Sequence, residues 1–177
     1  MRVDLDRAMQ VIEIATEFDW AWTVDDLPAF AERVGWQLGD LGVLSPPLTT
    51  NLDVNRANAR VSAAPKAAYG RPRELTMISF PASDIVLDDP AVKPVLSDLF
   101  DDFAQRVFEL VGHEPPQWWL RDSDRTARWD LPALTLKIAV SDTSLRVRLI
   151  SPAQQARNDE WDRRIDPDLT PDLDPIQ

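Results

Sequence analysis

A single imidazole is available for acid–base work in this 177-residue chain: His113, in the run Gly112-His113-Glu114-Pro115-Pro116, and there is no cysteine. One histidine and no thiol remove two-histidine metal sites, thiolate zinc, iron–sulfur clusters, disulfide frameworks and thiol nucleophiles. His113 follows the glycine at the expected end of a long helix, where a cation is favourable against the helix dipole. A capping role therefore suffices for it. No serine stands in a Gly-x-Ser-x-Gly elbow, so a Ser-His-Asp triad has no support. Asp98 and Asp102 lie one helical turn apart, and two such carboxylates can hold Mg²⁺. Leu99, Phe100 and Phe103 nevertheless assign the core to the other side of that helix, which makes a solvated acidic face the default. With five glycines and neither a Gly-x-Gly-x-x-Gly nor a P-loop pattern, no phosphate cradle and no cofactor are expected.

Two groups of residues are better suited to recognition than to catalysis. Arg56, Arg60, Lys66, Arg71 and Arg73 make one connection locally basic, beside the only tyrosine, Tyr69; they can meet an anion or an acidic partner, or simply be solvated. Seven tryptophans form the other group. Trp20, Trp36 and Trp129 sit at element junctions and are expected in the core. The adjacent rings of Trp118 and Trp119 must face opposite sides of a strand. Trp161 lies in Asn158-Asp159-Glu160-Trp161-Asp162-Arg163-Arg164, an aromatic in a charged setting that can anchor a partner within an acidic rim, although packing on the sheet would explain it equally. The candidate contact surface is therefore Asp159, Glu160, Trp161 and Asp162, with Arg71 and Arg73 as its competitor.

The charge balance narrows the partner. Thirty acidic residues against 19 basic ones give a net charge of −11, which disfavours a phosphate-tracking nucleic-acid binder and an acidic membrane surface. The opening Met-Arg-Val-Asp-Leu-Asp-Arg lacks the apolar run of a signal peptide, and no transmembrane stretch appears, so a soluble cytoplasmic protein is expected.

The elements that must position these residues follow from periodicity. Asp4 caps a helix carrying Leu5, Ala8, Met9, Ile12, Ala15 and Phe18 at three- and four-residue spacing. Thr23 and Asp26 approximate a capping box before a short helix with Leu27, Phe30, Ala31 and Val34, stopped by Gly35. Extended segments are expected at Trp36 to Leu44, Leu48 to Val54, Arg60 to Ala63 and Leu75 to Phe80. Asp88, Asp89 and Pro90 open the longest helix, with Val92, Val95, Leu96, Leu99, Phe103, Val107, Leu110 and Val111 on a broad apolar face. Strands at Trp118 to Arg121, Ala127 to Leu131, Leu134 to Val140 and Leu145 to Ile150 follow, the last two a hairpin that turns Arg146 and Arg148 away from its apolar side. Ser151 and Pro152 start a last helix. This order predicts an α+β domain over residues 1–165, an antiparallel sheet of five to seven strands packed on one face by three to four helices. Residues 166–177 read as an acidic, proline-spaced flexible tail; its four aspartates supply −4 of the charge.

The Met1-to-Ala8 opening, Phe18-Asp-Trp-Ala-Trp-Thr, Gly35-Trp, Trp129-Asp-Leu-Pro, Leu149-Ile-Ser-Pro and Asn158-Asp-Glu-Trp resemble a family of small actinobacterial proteins that look like immunity proteins encoded beside secreted toxins. In size and layout the chain is similar to the immunity factor of the tuberculosis necrotizing toxin, an NAD-glycohydrolase. The resemblance implies a non-enzymatic protein that binds a cognate toxin and occludes its active site. It maps no contact residue. Two other readings stand beside it: a cytoplasmic secretion chaperone or adaptor, which would leave its client's catalytic pocket open, and a small divalent-metal-dependent enzyme using Asp98 and Asp102.

Overall fold

The computed structural model describes residues 1–65, 70–112, 117–121 and 124–165, with 117–121 given as backbone. His113, Lys66, Tyr69 and the acidic tail 166–177 lie outside the described residues.

Local chemistry sets the helix ends. Asp4 accepts a hydrogen bond from the Arg7 amide and starts α1, Leu5–Glu17, which buries Leu5, Ala8, Val11, Ile12 and Ala15. Thr23 and Asp26 form a reciprocal capping box around a 3-10 turn, Val24–Asp26, leading into α2, Leu27–Val34. Gly35 ends α2 with φ +71°, a left-handed conformation that an L side chain resists.

Strands β1 (Gln37–Leu38), β2 (Leu48–Thr49), β3 (Asn58–Ala63) and β4 (Leu75–Pro81) come next. The extended stretch expected over Leu48 to Val54 is a strand for two residues only. Beyond Thr49 the backbone turns, with the Val54 amide donating to the Leu52 carbonyl while both side chains enter the core. The long helix α3, Val92–Val111, starts two residues after Pro90, with Asp89 accepting from the Ala91 amide. Its buried line is Val92, Leu96, Phe100, Phe103, Ala104 and Val107. Val95 and Leu110, expected on that face, fall off its edge and are exposed. β5 (Gln117–Arg121), β6 (Asp124–Asp130), β7 (Thr135–Val140), β8 (Leu145–Ile150) and α4 (Pro152–Ile165) complete the chain.

Among the described residues, the sheet is antiparallel throughout, in the order β1-β2-β3-β4-β8-β7-β6-β5. Six of these strands are five to seven residues long, and the two-residue β1 and β2 extend the β3 edge. β4 and β8 are neighbours although 63 residues separate the end of one from the start of the other. The fold is thus α+β.

Register assigns the two faces. Val61, Ile78, Leu149, Leu136 and Trp129 form one row of Cα partners across five strands, and Phe80, Val147, Ile138 and Ala127 form the next. All nine are buried. Helices α1, α2 and α3 cover this inner face. Phe30 of α2 meets Trp36 edge-on at 5.9 Å between ring centroids, and Trp36 meets Phe80 at 5.1 Å, so an aromatic chain ties helix to sheet. Arg125 ties α3 to β6 by pairing with Asp101 at 2.5 Å and lying over the Phe100 ring at 4.7 Å. Each fully buried Phe, Leu or Ile stabilises the fold by about 1.5–3 kcal/mol relative to exposure, so this layer dominates the energetics. α4 lies on the opposite, outer face.

Candidate functional site

Strand alternation turns a second set of side chains to the outer face. One row of Cα partners reads Arg60, Ser79, Arg148, Lys137, Arg128, and the next reads Pro81, Arg146, Ala139, Thr126. A protein of net charge −11 thus presents a basic stripe on one side of its sheet.

α4 neutralises one end of that stripe. Arg128, 8% exposed, donates through both terminal nitrogens to the two carboxylate oxygens of Asp159, at 2.7 and 2.8 Å, and through Nε to Asp130 at 2.7 Å. Gln155, one turn earlier on α4 and 2% exposed, donates to the same Asp159 carboxylate at 2.6 Å. Burial alone would raise the Asp159 pKa. The hydrogen bonds from Arg128 and Gln155 and the charges of Arg128 and Lys137 outweigh it and hold the carboxyl below its usual value. Lys137, beside Arg128 in the row, is lowered by burial and by Arg128, against the opposing pull of Asp159. Ser151 caps α4 by accepting from the Gln154 amide, and Arg157 pairs with Glu74 at 2.6 Å.

The candidate residues of α4 therefore divide. Asp159 is a structural clamp. Glu160 pairs with Arg164 on its own helix. Trp161 is 62% exposed, with Asp162 exposed beside it. Ile165, one turn further on, is 65% exposed. Only Gln155 of this helix is buried. α4 is consequently inverted relative to an ordinary amphipathic helix: it is fastened to the sheet by polar groups and turns its large apolar side chains to solvent.

Arg71 and Arg73 also divide. The Arg73 guanidinium donates to the carbonyls of Leu41, Val43 and Leu44, at 2.6, 2.8 and 3.3 Å, and so holds the connection between β1 and β2. Arg71 is exposed and lines an open cleft of about 400 Å³ with Trp22 and Glu74. Trp22 has φ +56°, a strained conformation for a bulky residue; its indole donates to the Ala133 carbonyl and stacks on Trp20 at 4.6 Å. Glu74 joins this cleft to α4 through Arg157, so the two candidate surfaces, far apart in sequence, border each other. A second open cleft of about 530 Å³ lies by Asp88, Asp89, Lys93 and Asp142, with Lys93 and Asp142 paired at 2.8 Å.

Asp98 and Asp102 are exposed on α3, and Asp101 between them is paired with Arg125. Among the described residues, no three His, Asp or Glu side chains gather where a metal could bind. No helix among them is long and apolar enough to cross a membrane. Trp36 and Trp129 are buried in the core, and Trp20 is half-buried against Phe18 and Phe30.

One group escaped the sequence reading as a unit. Arg56 and Arg60 precede and enter β3, while Arg146 and Arg148 lie on β8, and the pairing of β4 with both strands brings the four together. The available signal was partial: hairpin alternation turned Arg146 and Arg148 outward, and Arg56 and Arg60 stood in a basic connection. Arg146 is lowered by burial and then by the positive charges of Arg148, Arg56 and Arg60.

These features define an α+β domain with one apolar, helix-covered sheet face and one polar face partly covered by a clamped helix. The chain belongs to a family of unknown function, DUF6301, which it matches over residues 6–151. The matched stretch runs from α1 to the residue that caps α4, so the four arginines lie within it and Asp159 to Asp162 beyond it. Among curated proteins and among solved structures, none matches the chain.

Proposed function

We propose that this protein acts by binding another protein through the outward side of α4, as the immunity protein of a cognate secreted toxin in the cytoplasm of the producing cell. The observation that carries the reading is the inversion of α4. Trp161 and Ile165 face solvent from a helix whose other side is fixed by the Arg128–Asp159 clamp and Gln155. An aromatic on a prefixed helix loses little further freedom on binding, and tryptophan is enriched among residues that dominate interface energy. Glu160, Asp162 and Arg164 supply a polar rim.

The partner class comes from the family resemblance in the sequence: an NAD-glycohydrolase whose active site the bound protein would occlude. The remaining acidity of the surface suits a toxin that presents positive groups to a dinucleotide pyrophosphate, and speeds its encounter.

Co-expression with the toxin encoded beside this gene tests the proposal. A stable complex, rescued growth and loss of toxin activity are expected, with Trp161→Ala weakening the complex roughly 30-fold, the loss of about 2 kcal/mol typical of an interface anchor. Absence of both complex and rescue removes the reading. A complex in which the toxin stays fully active replaces it with the secretion chaperone.

A further inference from the structure

We propose that Arg56, Arg60, Arg146 and Arg148 form a second docking surface, for an extended acidic segment of a partner protein. Among the described residues, none of the four guanidinium groups makes a hydrogen bond or an ion pair. Arg2, Arg7, Arg106, Arg125, Arg128, Arg157 and Arg164 all pair with carboxylates. In a chain with 30 acidic side chains, leaving four arginines together without one concentrates positive charge on one patch. Like charges at this range repel, and an incoming anion relieves the repulsion.

The spacing selects the anion. Arg146 and Arg148 stand two residues apart on one face of β8, so their backbones are about 6.8 Å apart at the usual strand rise. Arg60 and Arg148 are both Cα partners of Ser79, which puts them two strand spacings apart, about 9.6 Å. Ser79, 4% exposed, lies in the floor between them. Carboxylates at alternate positions of an extended chain repeat at the same interval as Arg146 and Arg148. Each can take a guanidinium fork in bidentate fashion. Single-stranded nucleic acid is disfavoured because the described side chains of this patch, Arg60, Ser62, Met77, Ser79, Arg146 and Arg148, include no aromatic ring on which a base could stack. The net charge of −11 opposes any long polyanion as well.

This surface is separate from the outward side of α4 and does not depend on the partner's being a toxin. The test is anisotropy of a labelled decapeptide with aspartate at alternate positions, titrated with the full chain at low and high salt. Saturable binding that weakens with salt is expected. Arg146→Ala with Arg148→Ala should weaken it at least tenfold, and Arg60→Gln several-fold. Arg71→Ala and Trp161→Ala should leave it unchanged, which separates failure here from failure of the α4 reading. Thermal melts check folding, and the single Arg148→Gln substitutes if the double variant unfolds. No binding at low salt, or equal affinity in the arginine variants, overturns the proposal. So does tighter binding of tripolyphosphate or single-stranded DNA at equal charge. Binding that emerges only when Asp166, Asp168, Asp172 and Asp174 are all changed to Asn would assign the surface to the chain's own acidic segment and overturn the partner.

Discussion

The two faces of one sheet are built on opposite physics. The inner face carries Val61, Ile78, Phe80, Ile138 and Val147 under three helices, and its cohesion is non-directional burial of apolar area. The outer face carries Arg60, Arg128, Lys137, Arg146 and Arg148, and α4 is held on it by directional, charge-assisted hydrogen bonds. A layer of the first kind tolerates loss of a polar neighbour and suffers from any void. A layer of the second kind fails when one partner is removed, and leaves neighbouring positions open for other ligands.

The contrast is broken most severely from the inside. Phe80→Ala removes a fully buried ring that meets Trp36, and should cost about 3–5 kcal/mol in urea unfolding. A loss below 1 kcal/mol would mean that the inner layer is not the cohesive one. Arg128→Met should cost less, about 1–3 kcal/mol, because Asp159 is 35% exposed and can rehydrate. Its signature is local: amide exchange should accelerate across 152–165 while β4, β7 and β8 stay protected. Global acceleration would contradict the clamp assignment.

Acid should act on the same clamp. The Asp159 carboxyl is held below its usual value in the folded state, so its contribution is fully present above the unfolded pKa, about 3.9, and is lost as pH falls through the lower folded value. In an acid titration followed by amide exchange across 152–165, α4 should stay attached down to the ordinary carboxylate range and detach as pH falls below it, and Asp159→Asn should abolish that step. The smallest effect on stability belongs to Trp161→Ala, within about 0.5 kcal/mol of wild type because the ring contacts mainly water. A large destabilisation there would show that the ring packs on the fold rather than awaiting a partner.

Much of the secondary structure was legible in the sequence because its signals are local. Asp4, the Thr23–Asp26 box, Gly35 and Ser151 mark helix ends through hydrogen bonds and backbone conformations that span only a few residues. The β7–β8 hairpin could be read because its turn and alternation are contiguous. Val95 and Leu110 fall outside the buried line because a broad apolar stripe on a 20-residue helix does not say which edge the sheet will cover. The candidate site was less legible. Trp161 could be marked as an aromatic among charges, whereas Asp159 beside it looked equally available and is spent on Arg128, 31 residues away. Arg73 likewise looked like a solvated cation and is spent on three carbonyls.

By itself the amino-acid order determined that this chain makes an α+β domain without thiol or paired-histidine chemistry, with outward-turned arginines on its last hairpin and an aromatic in a charged final helix. Those properties follow from residue type and from periods of 2 and 3.6, which each segment carries on its own. Only the tertiary structure decided that β4 pairs with β8, that α4 crosses the outer face, and that Arg56 and Arg60 join Arg146 and Arg148. Strand pairing across 63 residues depends on which apolar rows fit together under the helices, a cooperative property of the whole core. The charges on the opposite face are carried wherever that fit puts them.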